Sequence, residues 1–137
     1  MNKIKLDFDS MKLITFFESM TGAKVKDCII NDKVIFVIEE NNMGKAIGKN
    51  GINIKKMENA LKKRIKLVEF SNDVLQFVKN FVYPIELQDV RQDDGTVIIH
   101  GKDTTTRAML IGRERHNIHY LHKIISRYFD VKEIKVV

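Results

Sequence analysis

Apolar and polar residues follow one another in this chain with a period that changes repeatedly, and each change marks an element. Leu13, Ile14, Phe17 and Met20 recur at helical spacing, with Asp9 or Ser10 placed to cap the helix and Gly22 placed to stop it. Residues 1–9 ahead of it read as a short extended lead, and both Phe16 and Phe17 read as core rather than as platforms for stacked bases. Two runs rich in β-branched residues, 25–30 and 34–38, read as strands joined by a turn at Asn31-Asp32. A short helix is expected over 43–47. A longer one follows over 52–63 on Ile54, Met57 and Leu61, and then a third strand over 65–70.

The pattern then repeats. Ser71-Asn72-Asp73 is a helix start, followed by Val74, Leu75, Val78, Phe81 and Val82 at helical spacing, and Pro84 is the stop. Strands are expected over 85–91 and 97–100 with Asp94-Gly95 as the hairpin turn. Asp103 or Thr104 caps a helix ending near Ile111. A longer helix over 117–129 carries Ile118, Leu121, Ile124, Ile125 and Tyr128, and a strand over 131–137 ends the chain. The order α-β-β-α-α-β is therefore stated twice, which predicts an α+β fold of two tandem domains, 1–71 and 72–137, each with a three-stranded sheet. Aligning Ile111-Gly112 on Ile47-Gly48 places Ile118 on Ile54, Leu121 on Met57 and Ile125 on Leu61.

Between the two middle helices of the first half lies Gly48-Lys49-Asn50-Gly51. Glycine permits a tight turn and close approach of a ligand, because no Cβ intervenes. The loop opens onto a helix N-terminus, whose unsatisfied N–H groups and dipole favour an anion, and Lys49 adds a positive charge. The physical reading is a grip on a sugar-phosphate backbone. A nucleotide-hydrolysing P-loop is excluded: only three residues separate Gly44 from Gly48, and Asn50 stands where that motif needs Ser or Thr. In the second half the loop reads Gly112-Arg113-Glu114-Arg115. Arg115 replaces the closing glycine, where a side chain is expected to compromise the backbone grip. Arg113 and Arg115 remain able to meet phosphate directly. Two readings stay open there, a different mode of RNA binding or a structural platform.

Charge sharpens the picture. Positions 45–66 hold eight basic residues and one acid, a net of +7 against +6 for the whole chain, so the remainder sums to −1. A basic excess focused beside a glycine loop attracts polyanions. A composition 44% hydrophobic is globular, no apolar run reaches the length of a membrane span, and the N-terminus lacks a signal-peptide core. With its single cysteine, Cys28, read as a buried thiol, the chain is expected in the cytoplasm and not at a membrane. His116, His119 and His122 drift around their helix instead of converging, so they read as surface or RNA-facing residues and not as a metal site. No nucleophile–base pair or paired carboxylates stand out, so no enzyme, small-molecule substrate or cofactor is expected.

Ile47-Gly48-Lys49-Asn50-Gly51-Ile52-Asn53-Ile54 resembles the I-G-x-x-G-x-x-I signature of KH domains, which clamp about four nucleotides of single strand. More widely the chain resembles the archaeal NusA-like transcription factors. The likeness is carried by residues 17–23, by Asp27-Cys28-Ile29, by residues 43–51, by Phe77-Val78-Lys79-Asn80 and by Arg127-Tyr128-Phe129. The resemblance implies two prokaryotic-type (type II) KH domains, single-stranded RNA as partner, and a role in transcription termination or antitermination. The RNA-contacting residues it points to are Lys45, Ile47, Gly48, Lys49, Asn50, Gly51, Lys55 and Lys56, with Gly112, Arg113 and Arg115 in the second half. Bacterial relatives carry a polymerase-binding domain for which this chain leaves no room. The alternative is a KH fold kept as a docking module for RNA polymerase, or a ribosome-associated RNA binder.

Overall fold

The computed structural model describes residues 8–137. Two compact units meet in sequence between Ser71 and Asn72. The first runs α1 (Phe8–Thr21), β1 (Val25–Ile30), β2 (Val34–Ile38), α2 (Met43–Ile47), α3 (Ile52–Leu61) and β3 (Ile65–Glu69). The second repeats the order as α4 (Val74–Val82), β4 (Leu87–Asp93), β5 (Thr96–Gly101), α5 (Thr104–Ile111), α6 (His116–Ile125) and β6 (Glu133–Val136). Short 3-10 turns at Lys49–Gly51 and Arg113–Arg115 join the paired helices. Each unit has a three-stranded mixed sheet, ordered β1-β2-β3 and β4-β5-β6. In each the first pair is antiparallel and the second parallel, and both first strands carry an irregularity near their start, Val25/Asp27 and Leu87/Asp89. The α+β fold of two tandem units is the one the repeat implied, and their KH type is the one the resemblance implied.

In the first unit Val34, Phe36 and Ile38 of β2 join Phe17, Ala46 and Met57 in the core, and the Phe17 and Phe36 rings stack at 4.4 Å. Ile35 and Val37 alternate to the other face of the sheet and are buried as well, which explains why β2 is an unbroken apolar run. Cys28 is a buried free thiol. In the second unit Ile118, Leu121, Ile124 and Ile125 of α6 are buried, as are Val97 and Ile99 of β5. Phe77 meets Tyr128 edge-on at 5.4 Å.

Several boundaries differ from the sequence reading, each for a local reason. Phe8 and Asp9 are already helical, so Asp9 and Ser10 are inside α1 and do not cap it; the rest of the proposed lead, residues 1–7, lies outside the described residues. Phe16 is 44% exposed and is not core, while its neighbour Phe17 is. Helix α3 stops at Leu61 because Lys62 turns left-handed (φ 56°). Helix α6 stops at Ile125, since the amides of Arg127 and Tyr128 bond three residues back, to Ile124 and Ile125, and tighten the chain out of α-helix. Strand β4 starts at Leu87 because Ile85 still donates to Val82 in the turn around Pro84. The second-half caps do form. Asp73 accepts from Leu75 at 3.0 Å, and Asp103 accepts from Thr106 at 2.7 Å. That bond, chiefly from the Thr106 backbone amide, holds the Asp103 carboxyl below its ordinary range.

Candidate nucleic-acid interface

Helix α2 ends where Gly48 takes φ 74° and ψ 172°, a region essentially closed to residues with a Cβ. Asn50 (φ 56°, ψ 28°) and Gly51 (φ 73°, ψ 19°) are both left-handed and turn the chain into α3. The Gly48 amide donates to Gly44 and the Gly51 amide to Gly48, so both glycine N–H groups are engaged inside the loop. No loop or cap bond among the described residues uses the amides of Lys49 and Asn50. They stand at the head of α3, where the unpaired N–H groups of the first turn also gather. The side chains of Lys45, Lys49, Asn50, Lys55 and Lys56 are exposed around them; Ile47, Gly48 and Gly51 are half-buried. Ile52, the first residue of α3, is 46% exposed and adds an apolar surface at the loop that the sequence reading did not single out.

The second loop has the same backbone. Gly112 takes φ 76° and ψ 172°, Glu114 φ 53° and ψ 32°, and Arg115 φ 63° and ψ 21°. Arg115 occupies the closing glycine's left-handed conformation without displacing anything, as a Cβ built on Gly51 meets nothing within 4 Å. The backbone turn is therefore kept at this position, and what Arg115 brings to the grip is its side chain. What differs is the side chains: Glu114 sets a carboxylate where the first loop has Asn50. The second unit also has a cleft of about 140 Å³ between α6 and β6. Buried Ile118 and Ile134 lie at its base, and exposed Arg115, His119 and Lys132 at its margin.

Both loops share one further feature. Nδ2 of Asn53 donates to the Lys45 carbonyl at 2.9 Å, and Nδ2 of Asn117 donates to the Met109 carbonyl at 2.9 Å. The alignment of the halves that pairs Ile54 with Ile118 also pairs these two asparagines, so the signal was present in the sequence.

The basic cluster divides. Lys45, Lys49, Lys55, Lys56, Lys62, Lys63 and Arg64 are exposed. Lys66 is not with the loop: Ile65 and Leu67 pack on the core, so Lys66 alternates to the opposite face of the sheet. Burial, and then the nearby charge of Lys33, lower its pKa from 10.5 to about 8. Between those values the unfolded chain binds more protons, so this residue makes stability rise with pH there. Lys66→Met is expected to stabilise the protein at pH 7 by about 1 kcal/mol, a figure reduced because part of the side chain keeps solvent. The gain should shrink by pH 10, and urea melts at the two pH values check it. Glu58, the one acid of the cluster, accepts from the Ile65 amide at 3.0 Å and ties α3 to β3.

The histidines divide too. His116 and His119 are exposed, whereas His122 is half-buried and its Nε2 donates to the Val131 carbonyl at 2.9 Å, a structural role in place of the surface one expected. Among the described residues no group of His, Cys, Asp and Glu is placed to hold a metal, and no helix is long and apolar enough to cross a membrane.

The sequence model of the KH domain family matches residues 13–95, which take in the first loop. A Methanococcus vannielii protein named probable transcription termination protein NusA is 40% identical over 139 residues, covering 98% of this chain and 80% of its own. Proteins of the same name from Methanocaldococcus jannaschii and Thermoplasma acidophilum are 32% and 30% identical; they cover 100% and 99% of this chain, and the matches cover 77% and 97% of their own lengths. Among solved structures, the crystal structure of APE1850 superposes with a TM-score of 0.75 at 28% identity, over 96% of this chain and 100% of that one.

Proposed function

The chain belongs to the KH domain family and to the family of the archaeal NusA proteins, and from that premise we propose that it binds single-stranded RNA during transcription and acts on termination or antitermination. The observation that carries this reading is the first loop: a left-handed turn at Asn50 and Gly51 into the head of α3, with Lys49 and Asn50 exposed there as Lys45, Lys55 and Lys56 are. A phosphate there gains backbone hydrogen bonds, the helix dipole and Lys49 together. Lys45, Lys55 and Lys56 steer and hold the neighbouring phosphates. Ile47 supports the loop, while Gly48 and Gly51 give it its shape. In the second unit Gly112, Arg113 and Arg115 form the weaker site. The role is binding, not catalysis, and it belongs to the cytoplasm, where RNA is made. Contact with RNA polymerase is the finer part of the proposal, and copurification with polymerase checks it.

A flexible strand can turn its bases toward the protein while the loop holds its backbone; a duplex cannot. Fluorescence anisotropy is therefore expected to give tighter binding to an unstructured RNA oligomer than to a perfect duplex of equal length. Affinity should fall as salt rises, with a modest log–log slope of roughly two to four, since a clamp of this size meets few phosphates. Equal affinity for the two RNAs, or no salt response, would contradict the reading.

A further inference from the structure

We propose that Asn53 and Asn117 are positioning residues that latch the two loops, and that this latch, not a glycine at the closing position, fixes the phosphate-gripping shape. The proposal rests on the RNA-binding reading above for its functional meaning, and on the loop geometry for its substance. The two loops differ at every position between their shared elements, Lys-Asn-Gly against Arg-Glu-Arg, yet the dihedral angles of Gly48, Asn50 and Gly51 agree with those of Gly112, Glu114 and Arg115 within about ten degrees. What they share is the opening glycine and the asparagine.

These two residues fit each other. A Cβ on Gly48 would lie 2.7 Å from Asn53 Nδ2, and one on Gly112 would lie 2.6 Å from Asn117 Cγ. The asparagine therefore fills the space that the missing side chain leaves. From there its amide crosses the loop to the last turn of the preceding helix, onto carbonyls that helix termination leaves without partners. Such a brace is needed, because the loops hold side-chain-bearing residues in left-handed conformation: Asn50 in the first, Glu114 and Arg115 in the second. Conformations of that kind persist only where the surroundings over-determine them.

The test uses the full chain, with RNA anisotropy at fixed salt and amide hydrogen exchange. Asn53→Ala is expected to bind an unpaired RNA oligomer about fivefold more weakly, as for one lost hydrogen bond. Exchange at the Gly51 amide should quicken while exchange in the core strands stays slow. Adding Lys49→Asp and Asn50→Asp should then cost less affinity than in the wild-type background, because the grip they block is already loosened. In the second unit Asn117→Ala should quicken exchange at the residue 115 amide, and Arg115→Gly should leave the loop unchanged. Asn53→Asp, isosteric but without the donor, should quicken Gly51 exchange as Asn53→Ala does and serves for that readout if the alanine variant does not fold, while its added charge should weaken RNA binding further. Wild-type RNA affinity and slow Gly51 exchange in these variants, or a loop that loosens with Arg115→Gly and not with Asn117→Ala, would overturn the latch. A wild-type protein that fails to bind RNA would sink the functional reading alone, since the exchange comparison does not depend on RNA.

Discussion

Replacing Lys49 and Asn50 together with aspartate is expected to abolish most RNA binding and leave the fold intact. Both side chains are exposed, and neither joins the core, so folding has little to lose. Binding has much to lose. A phosphate held at this loop lies within reach of both introduced carboxylates, since they stand on its two central, exposed residues. Like charges brought together at a contact cost several kcal/mol, and the attraction of Lys49 is removed as well. The expected loss is on the order of 100-fold at low salt. The matching change at Arg113 and Arg115 should cost about tenfold, or one or two phosphate contacts. The second loop is expected to start from a lower affinity, because Glu114 already sets a negative charge where the first loop has neutral Asn50. Anisotropy for each double variant, with circular dichroism as the folding control, decides the order. A greater loss in the second-loop variant would mean that the primary site lies in the other unit.

The glycines of the first loop should be unequal. Gly48→Ala places a Cβ against Asn53 in a backbone region that residues other than glycine scarcely enter, and Gly112→Ala also meets the Asn117 backbone nitrogen at 2.8 Å. Each is expected to destabilise its unit by about 2–4 kcal/mol, combining strain with steric conflict. Gly51→Ala meets open space and needs only the left-handed conformation that Arg115 already adopts in the second loop, so its cost should be about 1 kcal/mol. Urea midpoints compare the three. An equal or larger effect at Gly51 would show that the backbone, not the contact with asparagine, sets the requirement for glycine.

Much of this architecture was readable in the residues. The doubled α-β-β-α-α-β order followed from periodicity, because burial of one face is recorded in apolar spacing, and burial of both faces, as at β2, in an unbroken apolar run. The turn residues Gly22, Asp73, Asp94-Gly95 and Asp103 did what their chemistry predicts. The misjudged ends, at α1, α6 and β4, are places where polar and apolar patterns continue past the point at which backbone hydrogen bonding changes. Phe16 and Phe17 looked alike because one-dimensional spacing does not say which of two adjacent aromatics meets Phe36. At the candidate site, the glycines and lysines could be named from the motif. The repeat does pair Asn53 with Asn117, but it does not show the bridge each makes, since the acceptor is a carbonyl eight residues away, and the offset of Lys66 from the other cations depends on strand alternation. That the second loop keeps its turn with Arg115 in the closing position was not legible either, since it depends on open space beside the Cα, which a sequence does not display.

The central claim is that the loop from Gly48 to Gly51 holds the RNA backbone. Titrating the isotopically labelled protein with an unstructured RNA oligomer and following its amide resonances tests this residue by residue. The largest shifts are expected at the Lys49 and Asn50 amides, extending to Gly51, Ile52 and the Asn53 side-chain amide, with smaller changes at 112–116. Saturable shifts confined to other surfaces, with the 48–53 resonances unmoved, would contradict it.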